Sequence, residues 1–264
     1  MLRIIIVLIF IKEILCQNCG NNIGICINNE CCSQYGWCGS TVDHCSNGCQ
    51  KLFGRCDGDS NLLIYECSIP NTIALTFDDG VSQYTSKLLN ILYENNVKAT
   101  FFINGITNIN LSINNKNTKN IIKRMFLNGH QIAHHTWSHK DLTLLSTTDL
   151  LSEINLLSSK IQNIIGKRPR FLRPPYGNLN ENVISTLTNL TYRIALWSLD
   201  TEDWNYGPPN IQDKFINLDK KIVLHHDTLS YVSTVYINDL IKFIKSQNLQ
   251  IKTLAECLNE NAYF

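Results

Sequence analysis

Adjacent carboxylates, paired histidines and an arginine recur along this 264-residue chain at positions that could meet in one reactive site. Thr76-Phe77-Asp78-Asp79-Gly80 sets two carboxylates side by side, which repel unless a cation or a difference of role separates them. Gly80 permits a sharp turn that could aim both at one point, although Asp-Asp-Gly is equally a common solvated turn. His135-Thr136-Trp137-Ser138-His139 places two imidazoles four apart, a spacing from which a helical turn offers both to one ion. His134, just before them, leaves open which histidine is outermost, and a pair of core or surface histidines is the plainer alternative. One carboxylate from the first cluster makes the set two His and one Asp with room for water, the ligand count of a catalytic rather than a structural metal. Three further clusters follow. Arg173-Pro174-Pro175-Tyr176-Gly177 is stiffened by its prolines and carries an Arg able to hold a carboxylate. Asp200-Thr201-Glu202-Asp203-Trp204 offers carboxylates beside a large apolar plate, and Leu224-His225-His226-Asp227 offers two more imidazoles. A structural Arg pair, an acidic loop and a buried His are the alternatives for these three.

The elements that must position these residues alternate. From about Ile69, short β-rich runs (Ile73–Phe77, Ala99–Ile103, Gln131–His134, Phe171–Arg173, Tyr192–Ser198, Lys221–His225, Gln250–Thr253) are interleaved with helix-like stretches. The latter are Tyr84–Asn95, Ile121–Leu127, Thr148–Ile165, Glu181–Leu187 and Val235–Gln247. Such alternation predicts an α/β domain with a mostly parallel sheet, either open or closed as a barrel. Five of the β runs end in the reactive clusters, which puts the chemistry on loops at the carboxyl ends of strands. Asn104–Asn120 reads as a long surface loop. Within it Asn110-Leu111-Ser112 is a glycosylation acceptor pattern, and Asn189-Leu190-Thr191 is a second.

Residues 17–56 are different: Cys, Gly, Asn and a few aromatics, with almost no aliphatic periodicity. A segment of this kind cannot bury enough apolar surface to fold by packing, so covalent staples must replace a core. Of the eleven cysteines, Cys16 falls at the end of an expected signal peptide over residues 1–16, where Arg3 precedes the apolar run Ile4–Ile11. Removing it leaves an even set able to pair in an oxidising compartment. An uncleaved anchor and a zinc-binding cysteine cluster are the respective alternatives. Residues 57–68 read as a linker and 69–258 as the catalytic domain. The formal net charge of +1 gives no electrostatic case for nucleic acid or acidic membranes; neutral partners such as uncharged polysaccharides fit.

With the five clusters in order as TFDDG, HTWSH, RPPY, DTEDW and LHH, residues from about 70 to 255 resemble the polysaccharide deacetylases of carbohydrate esterase family 4. The resemblance implies a distorted (β/α) barrel of the NodB-homology type and a divalent metal, usually zinc, with cobalt possible. It implies Asp79, His135 and His139 as metal ligands, Asp78 as catalytic base held by Arg173, and His226 rather than His225 as catalytic acid, oriented by Asp203. It further implies that Tyr176 lends its backbone N–H to an oxyanion hole and that Trp204 and Leu224 wall the pocket for the acetyl methyl. The CCSxxGxCG core at residues 31–39 resembles a hevein-type chitin-binding domain. That resemblance implies the pairs Cys19–Cys32, Cys26–Cys38, Cys31–Cys45 and Cys49–Cys56, and a sugar-binding face of Ser33, Tyr35, Trp37 and His44, the last standing where an aromatic is usual. Cys67 and Cys257 flank the barrel and are expected to pair with each other.

The expected function is therefore metal-dependent removal of N-acetyl groups from the N-acetylglucosamine units of chitin and chitin oligomers, by a secreted monomer without nucleic-acid or membrane partners. An acetylxylan esterase of the same family and a catalytically dead chitin-binding lectin are the alternatives.

Overall fold

Where the sequence lacks aliphatic periodicity, the chain folds around its cysteines. The structure, a computed structural model, describes residues 18–21, 23–26, 30–45, 48–50, 53–54, 56, 63–106, 112–233 and 235–264. It divides into two units, Met1–Asp57 and Gly58–Phe264. The expected signal peptide over 1–16 and the acceptor Asn110 lie outside the described residues.

In the first unit Cys19–Cys32, Cys26–Cys38, Cys31–Cys45 and Cys49–Cys56 are bonded. They tie together an antiparallel pair, β1 (Cys31–Cys32) and β2 (Cys38–Gly39), and a single helical turn, α1 (Val42–Cys45). The core is little more than Phe53 against Cys19, Cys26 and Cys32, so cross-links carry the stabilisation that packing cannot.

The second unit alternates strands and helices: β3 (Leu63–Ile64), β4 (Thr72–Gly80), α2 (Thr85–Glu94), β5 (Thr100–Ile103), α3 (Lys116–Leu127), β6 (Gln131–His134) and α4 (Thr147–Ile165). After these come β7 (Phe171–Leu172), α5 (Glu181–Asn189), β8 (Arg193–Ala195), β9 (Leu199–Asp200), α6 (Asp203–Tyr206), α7 (Ile211–Lys214), β10 (Ile222–His226), α8 (Val235–Ser246), β11 (Gln250–Lys252) and α9 (Leu254–Leu258). The strand order is β3-β8-β7-β6-β5-β4-β10-β9, with β11 against the start of β4, and every ladder in it is parallel. No ladder joins β3 to β9 among the described residues. The sheet nevertheless wraps, because one face of seven strands converges on a single cluster: Ile64, Ala74, Phe102, Ala133, Phe171, Ala195 and Ile222. Small alanines and large phenylalanines share that interior, as close packing requires. The other face carries Ile73, Leu75, Phe77, Phe101, Ile103, Ile132 and Val223 into a second core with the apolar stripes of α2, α3, α4 and α8. Period-two alternation thus decides which residues reach the barrel mouth.

Three expectations change. The linker assigned to 57–68 stops short, since Leu63 and Ile64 form β3 and pair with Ile194 and Ala195; two residues are too few to leave an alternation in the sequence. The domain assigned to 69–258 also runs on to the last residue. Phe264 N–H donates to the Arg168 carbonyl, its ring lies 4.5 Å from that guanidinium, and Tyr263 Oη accepts from Ile132 N–H. The loop assigned to Asn104–Asn120 ends earlier, because Asn115 Oδ1 accepts from Asn117 N–H and caps α3. Asn is a strong helix starter, so an Asn-rich stretch need not be loop throughout. Asn189 is exposed at the end of α5.

Cys67, just after β3, is bonded to Cys257 in α9 across 190 residues, which joins the beginning and end of the barrel. Replacing both by Ala should lower stability by about 2–4 kcal/mol in urea unfolding of the full chain. An unchanged midpoint would show that the chain ends are held by packing alone.

Candidate active site

Asp78 reaches the barrel interior by strand alternation. Ala74, Thr76 and Asp78 share the inner face of β4, while Ile73, Leu75 and Phe77 point into the outer core. An ideal strand would turn the next carboxylate outward. Instead the β4–β5 register shifts between Asp78 and Gly80, and Asp79 takes a left-handed φ of 67°. This bulge re-aims the second carboxylate toward the same mouth. Gly80 is needed for space rather than for turning: a Cβ there would lie 2.6 Å from the Asp227 carboxylate oxygens.

Arg173 has no exposed surface. Its Nη1 donates to Asp78 Oδ1 at 2.7 Å and to Thr76 Oγ1 at 2.9 Å, and its Nη2 donates to the Leu196 carbonyl at 2.8 Å. The guanidinium lies 4.1 Å from the Phe102 ring centroid and 5.6 Å from that of Trp197. Burial lowers its pKa and the Asp78 charge opposes that.

His135 follows β6. Its Nδ1 faces the Arg173 carbonyl at 2.7 Å, which leaves Nε2 directed at the carboxylates, 3.4 Å from Asp79 Oδ1 and 3.7 Å from Asp78 Oδ2. His139 Nε2 lies 3.1 Å from Asp79 Oδ1. The helical turn expected for this pair does not form. Thr136 and His139 both have left-handed φ, 69° and 55°, in an irregular loop, and the two rings meet edge to face at 5.0 Å. His134 takes no part, because it points to the outer face and is fully buried. Its Nδ1 accepts from Thr136 N–H, so Nε2 carries the proton and donates to the Ile154 carbonyl at 2.9 Å. Burial lowers its pKa to about 3, which keeps the ring neutral.

Asp79 Oδ1 is buried and makes no hydrogen bond despite its two close imidazole nitrogens. The ligand atoms of Asp79, His135 and His139 all lie within 4.8 Å of one another. Tetrahedral ligands about 2.1 Å from an ion stand roughly 3.4 Å apart. The spacing, the orphaned oxygen and the two-His, one-carboxylate donor set therefore fit a divalent metal with an open position. Burial pushes the Asp79 carboxyl up, but the imidazoles outweigh it and hold it well below the ordinary range. A second group of ligand-type atoms, Cys19, Cys26 and Cys38, is consumed in disulfides.

On β10, Ile222, Leu224 and His226 face inward. His225 faces outward, stacked 5.4 Å from Phe77 with Nε2 3.2 Å from Tyr236 Oη, and burial lowers its pKa to about 4. His226 is gripped twice by Asp203: its backbone N–H donates to Oδ2 at 2.8 Å and its Nδ1 to Oδ1 at 2.6 Å. Burial disfavours the imidazolium, but the Asp203 hydrogen bond and the charges of Asp203, Asp78 and Asp79 outweigh it and raise the pKa to about 9.

These groups open into one pocket of about 470 Å³, walled by Pro174, Tyr176, Trp197, Asp200, Trp204, Leu224, Thr228 and Leu229. Tyr176 holds a left-handed φ of 61°. The hydrogen bonds of its turn use the neighbouring amides, Gly177 N–H to the Pro174 carbonyl and Asn178 N–H to that of Pro175, so the Tyr176 amide is left free for a ligand. Trp204 is 63% exposed and Leu224 4%, a plate at the rim and a floor beneath it. Trp197 went unassigned in the sequence. It covers Arg173 and sits so close under Gly177 that a Cβ there would be 2.8 Å from its ring. Its one signal was being the only tryptophan in the run before DTEDW.

Residues 66–195 match the family model described as polysaccharide deacetylase, and residues 16–56 the one described as chitin recognition protein. A chitin deacetylase of Pestalotiopsis sp is 36% identical over 204 residues, covering 75% of this chain and 67% of that one. A chitin deacetylase of Colletotrichum lindemuthianum is 33% identical over 208 residues, covering 75% and 83%. This chain belongs to the polysaccharide deacetylase family. The solved chitin deacetylase of Colletotrichum lindemuthianum superposes on it with a TM-score of 0.72 at 31% identity, over 76% of this chain and 95% of that one.

Beside its polysaccharide deacetylase fold, this family member carries the stapled unit. There Tyr35 is 77% and Trp37 44% exposed. Ser33 is buried, with Oγ accepting from Trp37 N–H at 3.1 Å, so its O–H remains a donor. The His44 ring lies against Gly39 and its Nδ1 is 2.7 Å from Thr41 Oγ1.

The Asp203–His226 pair can be read directly. In metal-free protein followed by NMR, His226 should titrate near pH 9, and Asp203→Asn should lower that value, because the Asp203 hydrogen bond and charge are lost and only the charges of Asp78 and Asp79 are left to oppose burial. Since the folded pKa is the raised one, the pair stabilises the fold fully below about pH 6.5 and loses that contribution as pH rises through about 9. A wild-type His226 titrating near 6.5 would contradict the pairing.

Proposed function

We propose that this chain hydrolyses N-acetyl groups on the N-acetylglucosamine units of chitin, releasing acetate and leaving free amines. The observation that carries the reading is the convergence of two separately supported proton carriers, Asp78 on Arg173 and His226 on Asp203, on one pocket beside the Asp79–His135–His139 set. A dead chitin-binding barrel has no use for both supports. The likeness to chitin deacetylases, and a chitin-recognition unit with exposed Tyr35 and Trp37, favour chitin over xylan. Five disulfides suit an oxidising, extracytoplasmic setting, and no described helix is long and apolar enough to cross a membrane.

In this mechanism Asp79, His135 and His139 would hold a divalent ion, with zinc our choice for the His-rich set. When bound, such an ion acidifies water and polarises the carbonyl oxygen of the acetamide. Asp78, fixed by Arg173 Nη1, accepts a proton as the water oxygen bonds to the carbonyl carbon. The free Tyr176 N–H meets the negative charge that then develops on oxygen, where a fixed donor stabilises the transition state more than the ground state. His226 uses Nδ1 to donate to Asp203, so Nε2 carries the mobile proton. It gives that proton to the amide nitrogen as the C–N bond breaks, since an amine leaves poorly until protonated. Leu224 and Trp204 enclose the methyl group and exclude bulk water.

Two experiments test this reading. Acetate release from chitin oligomers should vanish in a strong chelator and return with zinc or cobalt, whereas Asp78→Asn should keep zinc yet lose about 10²–10⁴-fold in kcat; full activity in metal-free protein refutes the mechanism. Trp37→Ala should weaken retention on chitin beads and slow attack on insoluble chitin, while rates on soluble oligomers stay within about twofold because no transition-state contact changes. Equal losses on both substrates would place the first unit inside the active site.

A further inference from the structure

The two histidines of the candidate metal set are supported unequally. His135 has the Arg173 carbonyl on its Nδ1 at 2.7 Å, the usual way to fix tautomer and ring orientation. No hydrogen bond reaches His139 Nδ1 from any described residue; apart from Asp79 Oδ1 at 3.1 Å from Nε2, on the candidate metal's own side, the ring is packed edge to face on Tyr176 at 4.8 Å and on His135. The placement of His139 Nε2 must then come from its backbone, which sits in a left-handed conformation that a non-glycine residue holds only when its surroundings impose it. The residue before it, Ser138, is held from both sides by one buried carboxylate. Glu153 Oε2 accepts from Ser138 N–H at 2.8 Å and Oε1 from Ser138 Oγ at 2.5 Å, with Lys140 Nζ 4.0 Å away. Glu153 is 7% exposed on the inner stripe of α4, next to Ile154, whose carbonyl takes the His134 proton.

We infer that Glu153 is a positioning residue which, through Ser138, sets His139 for the metal and so sets metal affinity. The inference rests on Asp79, His135 and His139 being the metal site. It is tested by chelator competition for zinc on the folded full chain, with thermal melting of the zinc-free protein alongside. Glu153→Ala should weaken zinc binding about 10–100-fold. Ser138→Ala, which removes one of the two bonds, should weaken it less, and it carries the test if Glu153→Ala does not fold. Glu153→Gln should stay near wild type, because its amide can accept from Ser138 N–H and donate to Ser138 Oγ. Leu157→Ala, a core truncation on the same helix, should lower the zinc-free melting temperature and leave zinc affinity alone. Wild-type affinity in both Glu153→Ala and Ser138→Ala overturns the inference, as does an equal loss in Leu157→Ala. A wild-type chain that binds no zinc overturns the metal site itself, and this role with it.

Discussion

Taking an arginine and a carboxylate out of water costs several kcal/mol per ion, recovered only when geometry is good and the remaining donors are satisfied. Arg173 and Asp78 meet both conditions. The guanidinium is shared among Asp78, Thr76 and the Leu196 carbonyl, with Phe102 and Trp197 against its faces. Thr76 in turn donates to the Val223 carbonyl, and the Arg173 carbonyl receives His135. One side chain and its own peptide thus link β4, β10, the segment after β8 and the first imidazole of the candidate metal set. Removing Arg173 would leave a buried, unpaired charge beside the reacting groups, so structure and chemistry at this point depend on the same contact.

Around that contact, strand alternation separates the groups that face the mouth from near-identical neighbours that do not. His226 and His135 point inward, while His225 and His134 point outward into cores where burial keeps them neutral. Asp79 is the exception. It joins Asp78 only because the strand bulges and the backbone adopts a left-handed φ, a local strain tolerated where several elements fix the same residue.

Much of this was legible in the sequence. The alternating apolar runs located most strands and helices of the barrel because their faces pack on two cores, and the five polar clusters fell at strand ends because a parallel sheet gathers its carboxyl ends on one side. What escaped was short or irregular. β3 and β9 have two residues each, below the length at which a period can be recognised. α3 began inside an asparagine-rich stretch through a side-chain cap. The loop from His135 to His139 has helical spacing but two left-handed residues, imposed by tertiary contacts with Asn104, Gly105 and Glu153 that no local pattern encodes. Trp197 and Glu153 have roles defined by what they touch across the fold, and such partners are not visible along the chain.

The covalent cross-links also observe a boundary. Among the described residues four disulfides close within Met1–Asp57 and the fifth closes within Gly58–Phe264, and none joins one unit to the other. Each unit is therefore a self-contained piece of inheritance. Recombination in the stretch between them would leave all ten bonded cysteines with their mates, so a lineage can gain, duplicate or discard the small unit without reworking the oxidation of the large one.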